Sequence, residues 1–395
     1  MAVNAMTFNQ LATVLTSIVS QATGKTGLTA TDTSSFVSVG KLGLETGYDP
    51  LNSAISQVLS RTIFSIRPYN RKFQALEMDN LRYGNHVRKI NFGDTGFAED
   101  DRIKLADGYS IDQQIVKKPA VLQTNFYGEN VYQKSITIYK DQLDCAFSSP
   151  EEFARFVSGV MQTVQDELEQ ARENTARETV ANLIGGHYYL DNQSVTDGCV
   201  VHLITEYNAH TGDEITAATV FNPDVFPNFA KWLYGRLATL SRELAERTAL
   251  HHIQFTDKPT IMRHTPLDRQ RLYMLAQPMD QISSNVLSSV FNDEYLRMMP
   301  REEVTFWQAI KAPASINLTA GYVGADGAAT SHSVSLDSIV FGVLMDEEAA
   351  GYTLVNQWSQ PAPFNARGGY TNYFWHETQR YYNDFSENCV VLLLD

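Results

Sequence analysis

Several places along the chain combine residue types that do chemistry, and at each the spacing fails. Gly24-Lys25-Thr26 ends like a phosphate-cradling loop, but position 19, where that loop's first glycine belongs, holds Val19, and no strand leads in. His376-Glu377 opens like a zinc-protease helix, whose second histidine would sit at 380, where the chain has Arg380. His251 and His252 are adjacent, so their side chains diverge by about 100° on a helix and point to opposite faces on a strand; neither arrangement chelates one metal. The carboxylate runs at 99–101 and 346–348 could supply acid/base pairs, yet lack the alternating oxygen spacing of a calcium loop and read as solvated turns. No Gly-x-Ser-x-Gly elbow, dinucleotide fingerprint or Cys-x-x-Cys pair occurs. Cys145, Cys199 and Cys389 are too few and too scattered for a disulfide framework, which suits a reducing compartment. The expectation is a protein with no catalytic residues, no metal and no cofactor.

Composition points the same way. The chain has 395 residues, 43% hydrophobic and 19% charged, enough apolar material for a real core and too little charge for a disordered polyelectrolyte. Thirty-one Lys and Arg against 45 Asp and Glu give a formal charge of −14, which argues against a surface built to hold phosphate. The apolar run at 390–394 is far short of the roughly 20 residues of a membrane helix. The first 24 residues carry no Lys or Arg, so they do not read as a secretory signal.

The elements that would position any site are uneven along the chain. Phe8, Leu11, Val14, Leu15, Ile18 and Val19 recur at helical spacing and predict a helix over 7–21. Residues 24–50, rich in Gly, Ser, Thr and Asp, read as an extended arm, with a short helix over 51–60 and then a basic cluster, Arg61, Arg67, Arg71 and Lys72. Strands are expected over 87–92 and 121–127. The residues between them hold glycines and charges of both signs, more than an ordinary connection carries. They read as a long two-stranded arm that packs outside its own core, its tip charged by Glu99, Asp100, Asp101, Arg102 and Lys104.

Ser149-Pro-Glu-Glu152 is a capping box with proline at the first helical position, opening a helix of about 35 residues that should end before Gly185-Gly186. Its middle, 165–178, is nearly all polar and needs ion pairs, neighbours or open solvent. Over 195–350 the pattern predicts a mixed α/β unit: a helix of more than 20 residues marked by Phe226 to Leu244, a shorter one from Pro266 through Leu275, strands at 260–262, 304–307 and 339–344, and an exposed loop over 321–332. The end reads as a structural hairpin, aromatic over 370–382 and continuously apolar over 389–394, with its turn at 383–388.

That order of elements resembles the HK97-like fold of tailed-bacteriophage major capsid proteins. The closing stretch 361–376, Pro-Ala-Pro-Phe-Asn-Ala-Arg-Gly-Gly-Tyr-Thr-Asn-Tyr-Phe-Trp-His, is similar to the end of capsid proteins from short-tailed phages. The resemblance implies an α+β fold with an N-terminal helix and arm over 1–72, an E-loop region over 73–130, a peripheral domain with its spine helix over 131–194, an axial domain over 195–350, and C-terminal strands returning to the peripheral domain over 351–395. It implies a non-enzymatic subunit that self-assembles into pentamers and hexamers of an icosahedral head around double-stranded DNA. The expected partners are further copies of itself, a scaffolding protein, a portal, and DNA held without sequence specificity on the inner face, with no membrane. The protein would reside in the virion after assembly in the bacterial cytoplasm. Some members crosslink through an E-loop lysine; Lys104, Lys117 and Lys118 lie in that region, but no partner asparagine or catalytic glutamate is located by motif. Inter-subunit contacts are expected from Asp100, Asp101, Arg102 and Lys104 on the E-loop and from Arg61, Arg67 and Arg71 on the N-arm. Two alternatives remain: an encapsulin-type cargo shell, and a cytoplasmic α/β enzyme with a polar pocket between domains.

Overall fold

A computed structural model of the chain describes residues 7–59, 72–78, 86–93, 99–114, 116, 118, 120–256, 258, 260–277 and 301–395. Arg61, Arg67 and Arg71 lie outside the described residues.

The first helix, α1 (Phe8–Thr23), carries the expected apolar stripe and stops at Gly24, whose φ of +70° ends it in the left-handed region. The next segment is not an extended arm. It forms α2 (Thr33–Glu45), begun by Asp32, whose carboxylate accepts the Ser35 N–H at 2.7 Å, and then α3 (Tyr48–Leu59). The glycines that suggest a loop serve close packing instead. A Cβ on Gly40 would stand 3.0 Å from the Phe147 carbonyl oxygen, and one on Gly43 would stand 3.0 Å from Val19. These helices share a core with Leu143 and Phe147 of the segment around α4 (Lys140–Ala146) and with Phe153, Val164 and Leu168 of α5 (Pro150–Asn192).

Helix α5 runs 43 residues, about 65 Å at 1.5 Å per residue. Ser149 caps it by accepting the Glu152 N–H at 3.2 Å, while the Glu152 carboxylate turns to Arg155 at 2.9 Å. Gly185 and Gly186 do not end it. They make room: a Cβ on Gly186 would come within 2.5 Å of the Phe385 ring, and one on Gly185 within 3.3 Å of Ala320. The polar middle is held by ion pairs with neighbours. Arg172 grips Glu377 through two nitrogens at 3.0 and 2.7 Å and Glu169 at 2.6 Å. Buried Glu173 accepts the backbone N–H of Lys72 at 3.0 Å and the Arg177 guanidinium at 2.8 Å.

Three antiparallel strands, β3 (Gly128–Tyr139), β10 (Ala350–Pro361) and β11 (Tyr370–Asn383), form a sheet in the order β10-β11-β3 against α5. A five-stranded sheet orders β4 (Val200–His202), β12 (Cys389–Leu393), β9 (Val340–Asp346), β5 (Gln270–Leu275) and β6 (Arg301–Val304). On one face Val391 and Leu393 share a core with Val180, Leu183 and Ile184 of α5; on the other Val390 and Leu392 share one with α6 (Leu203–Thr211) and α7 (Phe226–Ala245). That double burial explains the continuous apolar end. The final strand is therefore not the partner of β11 in a hairpin: it pairs with β9 and β4 in the other sheet.

The stretch from Pro266 holds no helix through 275 but a turn, closed by the Arg269 N–H on the Pro266 carbonyl at 3.0 Å, and then β5, whose apolar run is covered by sheet neighbours. The Thr265 hydroxyl donates to Asp346 at 2.8 Å rather than capping anything. Residues 260–262 form no strand; the Gln254 side chain bonds both backbone groups of Ile261, at 2.8 and 3.0 Å. The region expected as an exposed loop is a hairpin, β7 (Ile316–Val323) and β8 (Ala329–Leu336), turned at Gly327 with φ +80°.

His187, in the last third of α5, is fully buried beside Phe385, and neither ring nitrogen meets a protein partner among the described residues. Burial, with His252 nearby, lowers its pKa to about 3.

Two outcomes follow for chemical denaturation of the unassembled subunit. Gly186→Ala should destabilise it by about 1–3 kcal/mol through overpacking, whereas Gly159→Ala on the open part of the same helix should stabilise by up to about 1 kcal/mol. His187 binds its proton near pH 3 when folded and near 6.5 when unfolded, so between those values the unfolded state holds the extra proton. Stability should then fall with decreasing pH by up to about 1.4 kcal/mol per unit from this group, and His187→Leu should reduce that slope.

Candidate assembly surface

The described residues leave their apolar side chains most exposed on one projection. Strands β1 (Val87–Phe92) and β2 (Val121–Phe126) pair antiparallel, Val87 opposite Phe126 and Phe92 opposite Val121, as the sequence pattern predicts. Alternation puts Lys89 and Asn91 inward and Ile90 and Phe92 outward, so Phe92 and Val121 form an apolar cross-strand pair facing solvent. Beyond the strands Ile103, Tyr109 and Val116 are each more than three-quarters exposed, and Leu105 about half. Exposed apolar side chains gathered on one segment mark an interaction surface.

At its base the projection is fixed to the body by charge. The Lys89 ammonium lies 2.6 Å from Glu387, 3.0 Å from Asp384 and 3.2 Å from Glu348. Burial works against this cation, but the Asp384 and Glu387 carboxylates outweigh it and hold its pKa above the ordinary lysine value. Burial likewise pushes the Glu387 carboxyl up, against the pull of Lys89 and of Arg263 at 3.0 Å. Glu348 is partly buried, yet Lys89 and Arg269 keep it below its usual range. Phe126 packs on Tyr382 with ring centroids 5.1 Å apart, adding an apolar contact beside the ion cluster. The carboxylate run at 346–348 thus belongs to this anchor, Asp346 accepting Thr265 while Glu347 and Glu348 meet Arg269 at 2.6 Å each.

The structure brings Asp100, Asp101, Arg102 and Lys104 together on and beside one 3-10 turn, Asp101–Lys104, at the exposed end of the projection. Asp100 caps that turn by accepting the Arg102 N–H at 3.0 Å, and the Arg102 guanidinium donates back to it at 2.8 Å. That guanidinium, with the N–H, holds the Asp100 carboxyl below its usual range. Two of the expected contact charges therefore satisfy each other locally, and the apolar side chains that follow them, Ile103 and Leu105, are exposed. The Lys104 side chain lies outside the description.

The remaining chemistry-bearing residues have structural partners. His251 contacts the Gly198 carbonyl at 2.7 Å, and His252 the Leu250 and Ile261 carbonyls at 2.7 and 2.9 Å. Cys199 and Cys389 are buried thiols whose pKa burial raises. A groove of about 710 Å³ between α5, β7 and β11 is lined mainly by amides and hydroxyls, including Asn130, Asn174, Asn182, Gln308 and Asn383. No helix among the described residues is long and apolar enough to cross a membrane.

Comparison with known proteins agrees with this picture. The model of the Phi29-like phage major capsid protein family matches residues 15–393. Comparison with curated protein sequences finds no match. Among solved structures, a chain in the capsid of Staphylococcus phage Andhra superposes with TM-score 0.52 at 9% identity, covering 85% of this chain and 87% of that one. A chain in the structure of the head fiber and inner core protein gp22 of native bacteriophage P68 gives TM-score 0.51 at 9% identity, with 85% and 87% covered. At such low identity these likenesses speak to fold, a mixed helix and sheet architecture similar to HK97-like capsid proteins.

Lys89→Met would strand buried carboxylates without their cation. It should cost about 3–5 kcal/mol at pH 7 by denaturant unfolding. The difference from the parent should narrow as pH falls and the Glu387 carboxyl, raised by burial, takes up a proton.

Proposed function

Because the chain belongs to the family of Phi29-like phage major capsid proteins, we propose that its exposed apolar projection is the surface each subunit lays against a neighbouring copy in the head. The chain forms the capsid shell and is a component of the virion. The observation that carries the proposal is the apolar row on β1, β2 and the segment between them, which leaves the body of the subunit while Lys89 fixes its root. Burying that row against a second copy stabilises the contact by roughly 25 cal/mol per Å² of apolar surface removed from water.

In this reading copies close into pentamers and hexamers of an icosahedral head, because closed shells are built from one repeated contact. Residues 73–130 act as the E-loop, 1–72 as the N-terminal region, 131–194 as the peripheral domain with α5 as its spine, 195–350 as the axial domain, and 351–395 as the strands returning to the peripheral domain. The charge of −14 keeps the inner surface from binding double-stranded DNA tightly, which suits a container that must release it. A scaffolding protein and a portal join during assembly in the host cytoplasm, and the subunit performs no catalysis. Asp101, Arg102 and Lys104 contribute at the rim of the contact, with Asp100 shaping the turn, and Arg61, Arg67 and Arg71 contribute from the N-terminal region. Neither the encapsulin reading nor the enzyme reading has support: the family matched is a phage shell family.

Ile103→Asp combined with Tyr109→Asp tests the contact. Both side chains are exposed, so the subunit should keep its circular dichroism spectrum and unfolding midpoint. Shell yield in electron micrographs should fall by at least about tenfold, the effect of some 1.4 kcal/mol per contact. Undiminished yield would remove the projection from the assembly surface.

A further inference from the structure

Strands β2 and β3 are separated only by Tyr127, and exposed and inward side chains alternate without a break from Val121 to Ile138. They make one extended run of 121–139, roughly 60 Å long at 3.3 Å per residue. The bond pattern shows which way its backbone faces. The Gly93 N–H donates to the Ala120 carbonyl at 2.8 Å, and the Lys140 N–H donates to the Gly369 carbonyl at 2.8 Å. Both pairs continue the registers of β1 with β2 and of β11 with β3. In an antiparallel ladder, opposed residues that exchange hydrogen bonds alternate with residues that do not. Even-numbered residues of β2 and β3 therefore turn their N–H and C=O groups toward β1 and β11. Odd-numbered residues from 121 to 137 turn theirs to the opposite edge, where no strand pairs with them among the described residues.

Natural edges of this length are guarded by proline, by bulges or by charge. Residues 121–139 contain no proline, their registers show no bulge, and Glu129 is the one charged side chain on the exposed row. By the same parity the other edge of β1, at Arg88, Ile90 and Phe92, meets no strand among the described residues. The two edges are complementary. In an antiparallel register that sets Arg88 against Glu129, the single charge on each edge is opposite in sign, the exposed apolar Ile90 falls opposite Tyr127, and Phe92 falls opposite Asn125. Glu129 already meets Arg380 at 3.2 Å and is still 40% exposed at its side chain, open to a second cation.

We infer that the free edge of β2 and β3 is completed in the shell by β1 of a second copy of this chain, which adds to it as a further strand. The contact is heterologous, the β1 edge of one subunit on the β2–β3 edge of the next, and such contacts close rings. It rests on the shell-forming reading and specifies how neighbouring copies are joined: by main-chain hydrogen bonds, with side chains setting register.

Asn125→Pro tests it, since it removes one outward N–H and none of the bonds to the subunit's own β1. The variant should fold as the parent does but yield at least about tenfold fewer shells, while Asn125→Ala assembles normally. Hydrogen exchange read by mass spectrometry gives a second measurement on the unmutated protein. On assembly, the fast-exchanging amides in peptides covering 121–131 and 86–93 should slow together by at least about tenfold. Parental shell yield from Asn125→Pro, or shells in which either peptide exchanges as in the free subunit, would overturn the edge pairing alone. A parent chain that builds no shell would overturn the reading beneath it as well.

Discussion

Helix α5 passes through two hydrophobic cores, and the polar stretch between them decides whether the subunit is one rigid body. Its first half closes the core of α1, α2 and α3; its second half closes the core under the five-stranded sheet. Between them, Arg172, Glu173 and Arg177 find partners on β11, on the backbone at 72–73 and within the helix. Charges this buried are tolerated only when paired and hydrogen-bonded. Removing one partner would leave the other stranded, so these ion pairs, with the unbroken helix and the β10-β11-β3 sheet that feeds both cores, hold the two halves of the molecule in a fixed relation.

The projection of β1 and β2 depends on that frame. Its root is fixed where Lys89 meets carboxylates from two turns, 346–348 and 384–387, both set by strands that α5 supports. Beyond its strands, Ile103, Tyr109 and Val116 are turned to solvent. Rigid where it joins the body and unsatisfied where it leaves, it presents one directed surface to a neighbour. A shell subunit needs that combination, because a contact repeated many times must keep one angle to close.

Much of this was legible in the residues. Helical spacing marks α1 and α7, strand alternation marks β1 over the same residues that form it, and the Ser149-Pro150 start marks α5. Where expectation and structure differ in the helices, the cause is shared: small residues break a local pattern without breaking the element. Gly40 and Gly43 in α2 and Gly185 and Gly186 in α5 stand where another element comes close, a tertiary fact absent from local pattern. The apolar run of β5 has no period of its own because sheet neighbours and cores enclose it, so Thr265-Pro266 suggested a helix that does not form. At the candidate surface the charges were visible, but Ile103, Leu105 and Tyr109 were hidden among them. Lys89 gave no signal, since its carboxylates lie about 260 to 300 residues away in sequence.

The central claim is that the subunit is folded alone yet finished only by its neighbours. Residues 93 and 120 face each other as a hydrogen-bonded pair, the spacing that a two-residue Asn-Gly turn closes. Replacing 94–119 by that turn removes the outer projection and leaves both strands and the Lys89 anchor in place. Analytical ultracentrifugation of this variant should show a folded species no larger than small oligomers under conditions where the parent sediments as shells. Shells of parental size from the shortened chain would contradict the account.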